Sequence, residues 1–454
     1  MPMGKAASVR PGRALGAGSE IPPILWRPFR PVDGQSEDRF VCAGLPVAQA
    51  GIPHWQPHLV RGLEALPPER LRRLRSYQPL GAGQLEAQPT DGDSHPHGMG
   101  EKTPLLDLAS NDYLGLSGHP ELVAAAEAAL HNDGVGAGAS RLVSGSRPVH
   151  QALEADLAAW LGRERVLLFP SGFQANIAAV SALADRHSLV LADRLIHHSL
   201  LVAIRASGAQ LQRFAHNDLG DLAQRLGAAR QANPQQRLLV ISESLFSMEG
   251  TSPKVPELGE LCRRHGAALL LDEAHALGVL GPEGRGLGHG LDSIAMVSGT
   301  FGKAFGSGGA FLAGNGLVGE WLLQSSGAFR YTTALAPALA AGALAGLAQM
   351  QANPTTATAL LARAKRWRDG LEAAGWPRPP GTGPILPLVV GSDRATLKLQ
   401  QHLEAAGLLT VAIRPPTVPE GTARLRLVLR HDLPEGSLEQ LIQALGAPPE
   451  RPCN

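Results

Sequence analysis

Cysteine is nearly missing from this chain. Its three residues, Cys42, Cys262 and Cys453, are odd in number, far apart and without C-x-x-C spacing. That pattern gives neither a disulfide framework nor a zinc site, and it fits a reducing compartment. An excess of charge is missing too: Lys plus Arg total 41 against 40 for Asp plus Glu, a formal net charge of +1. No attraction to nucleic acid or to an anionic membrane is therefore built in. No apolar run reaches the roughly 18 residues of a membrane span, so no membrane association is expected. The first 19 residues hold no acid but no continuous apolar stretch either, which argues against a secretory signal and leaves only a weak transit-peptide resemblance. The expected location is the cytoplasm.

What is present describes a globular chain rich in loops, 44% hydrophobic with 53 Gly and 36 Pro, for which an enzyme is the leading expectation. Residues 1–57 are crowded with Pro and Gly, show no period, and read as a poorly ordered extension. Residues 58–104 read as an N-terminal segment: a short basic helix, Glu69–Tyr77, then a loop from Gly81 to Thr103. That loop holds His95 and His97, whose H-x-H spacing lacks a third metal ligand nearby.

From Leu105 short apolar runs alternate with amphipathic helical patterns. Strands are expected at 165–169, 188–192, 210–214, 237–242, 268–272, 293–299 and 309–314, with helices at 173–184, 198–207, 218–231 and 256–265. Continuous Val, Leu and Ile runs imply strands buried on both faces, hence a mostly parallel seven-stranded sheet flanked by helices, spanning 105–336. Residues 337–454 change to helices, then PILPLVVG, a helix at 393–406 and the strands LLTVAI and RLRLVLR, a smaller α+β domain. In the last strand Leu425, Leu427 and Leu429 share one face, and Arg424, Arg426 and Arg430 share the other, facing away from the core.

The most informative segment is SGTFGKAFGSGG. Lys303, one of only six lysines, stands among Gly, Phe, Thr and Ala just after a buried strand. Desolvation there lowers an amine's pKa and favours a nucleophile or a Schiff base; a structural lysine at a strand end is the plain alternative. A phosphate-loop motif fails because position 297 is Val, not Gly. The strand ALLLDEAHALG brings Asp272 and His275 to the same rim. Asp272 suits a protonated ring nitrogen, with a helix cap or a metal pair with His275 as alternatives. FPSGFQAN gives a strand, then Ser171, Gly172 and Phe173 at a helix start, a geometry that accepts phosphate but also one that merely caps helices. His197 follows another strand end and could cover a flat ring; His198 beside it, or an ordinary capping role for either, remains open. Ser247 leaves the strand before Asp272. GAGAS at 136–140 is no dinucleotide fingerprint, because it follows a helical pattern.

Taken in order, SNDYLGLSGHP, GAGASRLVSG, FPSGFQAN, ADRLIHHSLL, SESLFSMEG, LLLDEAHALGVLG, SGTFGKAFGSGG, YTTALAP and IRPPTVPEGTARLRLVL resemble the α-oxoamine synthases over residues 105–445. These are pyridoxal-phosphate enzymes of fold type I that join an amino acid to an acyl-CoA with loss of carbon dioxide. The resemblance implies that Lys303 carries the cofactor, Asp272 holds its ring nitrogen, and His275 and Ser247 hydrogen-bond its phenolic oxygen. It also implies that His197 stacks on the ring and lies nearest the acyl carbonyl, that Gly172 and Phe173 form the adjoining turn, and that Thr300 reaches the phosphate. A hydroxyl of the other subunit, Thr332 or Thr333, would touch that phosphate, implying a homodimer with shared sites. Asn111, Arg72 (or Arg73), Arg414, Thr417 and Arg426 would meet substrate, Arg426 through the amino-acid carboxylate. The IRPPTVP segment is most similar to that of members using L-alanine and a pimeloyl thioester, on CoA or a carrier protein. A sister synthase using glycine or serine, a lyase or aminotransferase, a non-catalytic binding protein and a metal enzyme are the alternatives. The extension and the loop at 81–103 exceed the family's core.

Overall fold

The computed structural model describes residues 54–88 and 104–448, which divide into two units at Leu66/Pro67. The first holds one helix, Gln56–Glu64, with no buried residue. The second carries three sheets. β1 (Ser76–Gly81) and β2 (Gln84–Gln88) form a hairpin, and β2 continues to β3 (Leu105–Asp107). The basic segment Glu69–Tyr77, expected as a helix, is not one: a single 3-10 turn, Pro68–Arg70, leads into extended chain and then β1. Gly81, Ala82 and Gly83 all take positive φ and reverse the chain, so its backbone groups are satisfied across a hairpin instead of along a helix. The first part of the loop expected from Gly81 is therefore strand β2, as far as Gln88. Residues 1–53, Cys453 and the histidines at 95 and 97 lie outside the described residues.

The central sheet comprises β4 (Arg165–Phe169), β5 (Ser188–Asp193), β6 (Gln210–Phe214), β7 (Arg237–Glu243), β8 (Ala268–Asp272), β9 (Met296–Thr300) and β10 (Ala310–Gly314). Their spatial order is β4-β10-β9-β8-β7-β5-β6. All pairs are parallel except those of β10, which runs against both β4 and β9. All seven expected strands are present, β9 displaced a few residues C-terminally. One apolar cluster packs on each face of the sheet, as continuous hydrophobic strands require. Edge strand β6 is the exception, exposed along QLQR.

β11 (Ile385–Gly391), β12 (Leu408–Leu409), β13 (Val411–Ile413) and β14 (Ala423–Val428) follow. LLTVAI is not one strand. It breaks at Thr410, so that β12 pairs with β3 while β13 joins β11 and β14 in a three-stranded sheet. The arginine row of the last strand is also not solvent-facing: Arg424, Arg426 and Arg430 are buried. Period two separated them from Leu425, Leu427 and Leu429 correctly, but their own face is covered as well. Glu249 and the Met248 carbonyl meet Arg424, Asn111 and the Ser247 carbonyl meet Arg426, and Asp107, Asp112 and Asp432 meet Arg430. Buried guanidinium groups need such partners. Among the described residues no helix is long and apolar enough to cross a membrane, and no three His, Cys, Asp or Glu side chains are grouped to hold a metal.

Candidate active site

Because the strands are parallel, each delivers its following loop to the same rim of the sheet. β4 leads to Ser171, β5 to His197, β7 to Ser247, β8 to His275 and β9 to Lys303. Register fixes the floor: Glu243 lies beside Asp272, and Asp272 beside Ser298.

Lys303 sits in a loop held from both sides. A Cβ on Gly306, whose φ is +67°, would lie 2.6 Å from the Leu116 backbone; a Cβ on Gly346, in the helix Pro337–Ala352, would lie 2.4 Å from the Phe305 carbonyl oxygen. Only glycine allows that approach. Burial lowers the Lys303 ammonium to about 8, against the opposing pull of Asp272 and Glu243. Asp272, nearly buried, accepts from Asn176 Nδ2 at 2.9 Å and from the Ala274 amide at 3.0 Å. Glu243 is buried beside it and accepts from the His197 amide. Burial, then the neighbouring Asp272, raises its carboxyl well above the ordinary range.

His275 Nδ1 lies 2.6 Å from the Tyr113 hydroxyl. Burial holds this imidazole well below its usual pKa and pushes the Tyr113 phenol up to about 12. Arg426 Nε donates to the Ser247 carbonyl at 2.6 Å and Nη2 to Asn111 Oδ1 at 2.8 Å, which brings three of the expected substrate-side and cofactor-side residues together. His197 is the N-cap of helix His198–Ser207, its side chain accepting from the Ser199 amide. The capping alternative is thus realised, yet the ring stays exposed at the rim. Ser171 likewise caps the helix Gly172–Leu183, leaving the first amides of that helix directed outward. Thr300 lies against Gly172, though its hydroxyl donates to the Gly309 carbonyl at 3.0 Å.

The remaining expected residues fall into two other groups. Thr332 and Thr333 line a surface hollow of about 430 Å³ with Ser140, Leu142, Val143 and Tyr331. Arg414 donates to the Glu69 carbonyl, keeps a buried Nε without a partner, and feels the charge of Arg72. Thr417 follows in the turn, exposed, its amide bonded to the Arg414 carbonyl. Sequence reasoning missed Tyr113, Asn176, Ser199, Glu243 and Ser298. Asn176 carried a signal, a polar residue interrupting the apolar face of its helix; the others lay unremarked inside quoted motifs.

The rim fits pyridoxal phosphate. It offers an amine of lowered pKa for an aldehyde, a held carboxylate for a ring nitrogen, free helix amides for a phosphate and a guanidinium for a substrate carboxylate. The family model for aminotransferase class I and II matches residues 103–445. The 8-amino-7-oxononanoate synthase of Anaeromyxobacter dehalogenans is 41% identical, over 85% of this chain and 94% of its own. Among solved structures, the serine palmitoyltransferase of Sphingomonas wittichii aligns at TM-score 0.78 with 26% identity, over 87% of this chain and 97% of that one. The 8-amino-7-oxononanoate synthase of Francisella tularensis aligns at 0.63 with 26% identity, over 75% and 96%. An SPT variant solved with PLP aligns at 0.77 with 25% identity, over 87% and 97%. By the extent of these matches, the chain belongs to the aminotransferase class I and II family and, within it, to the 8-amino-7-oxononanoate synthases.

Proposed function

We propose that this protein condenses L-alanine with a pimeloyl thioester, releasing carbon dioxide and the thiol and leaving 8-amino-7-oxononanoate, a step of biotin synthesis carried out in the cytoplasm. The observation that carries the reading is Lys303, an amine of lowered pKa at the same rim as a held carboxylate and a buried arginine. When bound, pyridoxal phosphate supplies an electron sink that eases loss of the α proton and of carbon dioxide.

Lys303 is its covalent anchor, Asp272 its ring-nitrogen partner, and His275 with Ser247 its neighbours at the phenolic oxygen. The amides of Gly172 and Phe173, with Thr300, receive the phosphate, and Thr333 of a second copy completes that pocket. The exposed Leu142, Val143 and Tyr331 around Thr333 support a homodimer. Arg426 grips the alanine carboxylate with Asn111 beside it. The Lys303 amine would take the α proton and later return one, work suited to an amine whose pKa burial lowers to about 8. His197 would cover the ring and donate to the acyl carbonyl oxygen. Arg72, Arg414 and Thr417 meet the acyl donor.

Borohydride reduction of the holoenzyme followed by peptide mass analysis should place the pyridoxyl group on Lys303, and Lys303→Ala should turn over no substrate. Label on another lysine removes the assignment. Steady-state assays should rank alanine with pimeloyl-CoA above glycine or serine with other acyl-CoA donors in kcat/KM. A glycine or serine pair that wins leaves the synthase and changes its substrate. Arg414→Ala should raise KM for the acyl donor and spare the cofactor spectrum; the reverse makes Arg414 structural.

A further inference from the structure

Four buried side chains behind the rim form one hydrogen-bonded chain whose polarity can be read in a single direction. Asn176 Nδ2 is 2.9 Å from Asp272 Oδ2 and 3.0 Å from Ser199 Oγ, while the Ser298 hydroxyl is 2.7 Å from Asn176 Oδ1. Ser199 Oγ in turn lies 2.7 Å from His197 Nδ1. Asn176, Ser199 and Ser298 are almost fully buried, so water does not substitute for these contacts.

A carboxylate only accepts, so the Asn176 group facing Asp272 is the amide nitrogen and not the oxygen. That places Oδ1 toward Ser298, which donates to it. The second amide hydrogen of Asn176 goes to Ser199 Oγ, and since His197 Nδ1 is the one acceptor within reach of the Ser199 hydroxyl among the described residues, the hydroxyl hydrogen goes there. The Ser199 backbone amide points at the same Nδ1, at 3.4 Å. With two donors aimed at it, Nδ1 carries the lone pair, and the ring proton of the neutral imidazole resides on Nε2. Among the described residues nothing hydrogen-bonds Nε2.

We propose that Asn176 and Ser199 are positioning residues that, aligned by the Asp272 carboxylate, fix His197 as the Nε2–H tautomer, delivering it to the reaction as a hydrogen-bond donor. This rests on the proposed role of His197 beside the acyl carbonyl. One amide thus orients both the carboxylate that would hold the ring nitrogen and the imidazole that would cover the ring. His197 begins each cycle with a proton to offer to a carbonyl oxygen, not with a lone pair to take one.

The test uses holoenzyme labelled with 15N-histidine, the His197 signals assigned by their loss in His197→Gln. Without substrate, Nδ1 should resonate as an unprotonated ring nitrogen and Nε2 as a protonated one. Ser199→Ala removes only the hydroxyl donor and should bring in the Nδ1–H form. It should lower kcat by about tenfold to a hundredfold, less than the roughly 10²–10⁴-fold supplied by a proton-transferring group itself, because His197 stays in place, with KM for alanine unchanged. Ser199→Thr should restore both. Asn176→Asp, which sets an acceptor against Asp272, should disturb the tautomer and weaken cofactor binding together. Wild-type Nδ1–H, or an unchanged tautomer and kcat in Ser199→Ala, overturns the proposal. The NMR arm needs no substrate, so loss of the alanine and pimeloyl reading would leave it standing.

Discussion

At Lys303, chemistry follows from what surrounds the amine. Burial favours its neutral form, while Asp272 and Glu243 favour the charged one, and burial prevails. Only the neutral amine attacks an aldehyde. The rate at which apoprotein captures pyridoxal phosphate should therefore rise with pH through about 8 and level off above it, well below the range of an exposed lysine. Asp272→Asn removes a charge that holds the proton on, so the midpoint should move down; stopped-flow absorbance across a pH series reads both. An unchanged midpoint in Asp272→Asn would place that carboxylate too far away to act on the amine. Arg426→Lys keeps the charge and loses the planar fork. It should raise KM for alanine by about tenfold or more with cofactor affinity held, since one bidentate pair is replaced by a point charge.

Among the elements, two contacts place the rim. The helix Pro337–Ala352 reaches the Lys303 loop through Gly346, where a side chain would strike the Phe305 carbonyl. Gly346→Val should cost about 1–3 kcal/mol by overpacking and disturb the cofactor's absorption, because the loop has nowhere to retreat from Leu116. β14 is pinned by Arg430, which meets Asp107 at 3.1 Å, Asp112 at 3.3 Å and Asp432 at 2.8 Å. Arg430→Met leaves the buried Asp107 and the half-buried Asp112 and Asp432 without their cation and should lower unfolding free energy by about 3–5 kcal/mol in a denaturant titration. A loss under 1 kcal/mol would mean that the aspartates find other partners.

For the whole molecule, the proposed dimer decides whether the site is complete. Val143, 79% exposed, and Tyr331, 80% exposed, adjoin the hollow holding Thr333. Val143→Asp introduces a charge that burial against a second copy would penalise, so sedimentation should shift toward monomer and cofactor affinity should fall with it. A monomeric variant that keeps its cofactor affinity would show that Thr333 contributes nothing across an interface.

Much of this was legible in the residues themselves. Apolar runs bounded by turns marked the strands of the central sheet apart from the polar edge strand β6, since strands buried on both faces have few polar residues to blur them. The residues following those strands, His197, Ser247, His275 and Lys303, were expected at one rim because parallel strands end on one side. The basic segment before β1 went wrong because a hairpin is settled by pairing with a partner strand, which local composition does not reveal. The arginine row went wrong for a related reason: alternation tells which residues share a face, not whether that face is covered. Asn111 lies 315 residues from Arg426 and Asp107 lies 323 from Arg430. Sequence alone thus determined which groups the strands would deliver and the chemistry those groups permit. Only the tertiary structure decided which charges are buried, which hydroxyl points at which imidazole and how low the Lys303 amine is driven, because desolvation and hydrogen-bond direction depend on neighbours that the chain brings together only by folding.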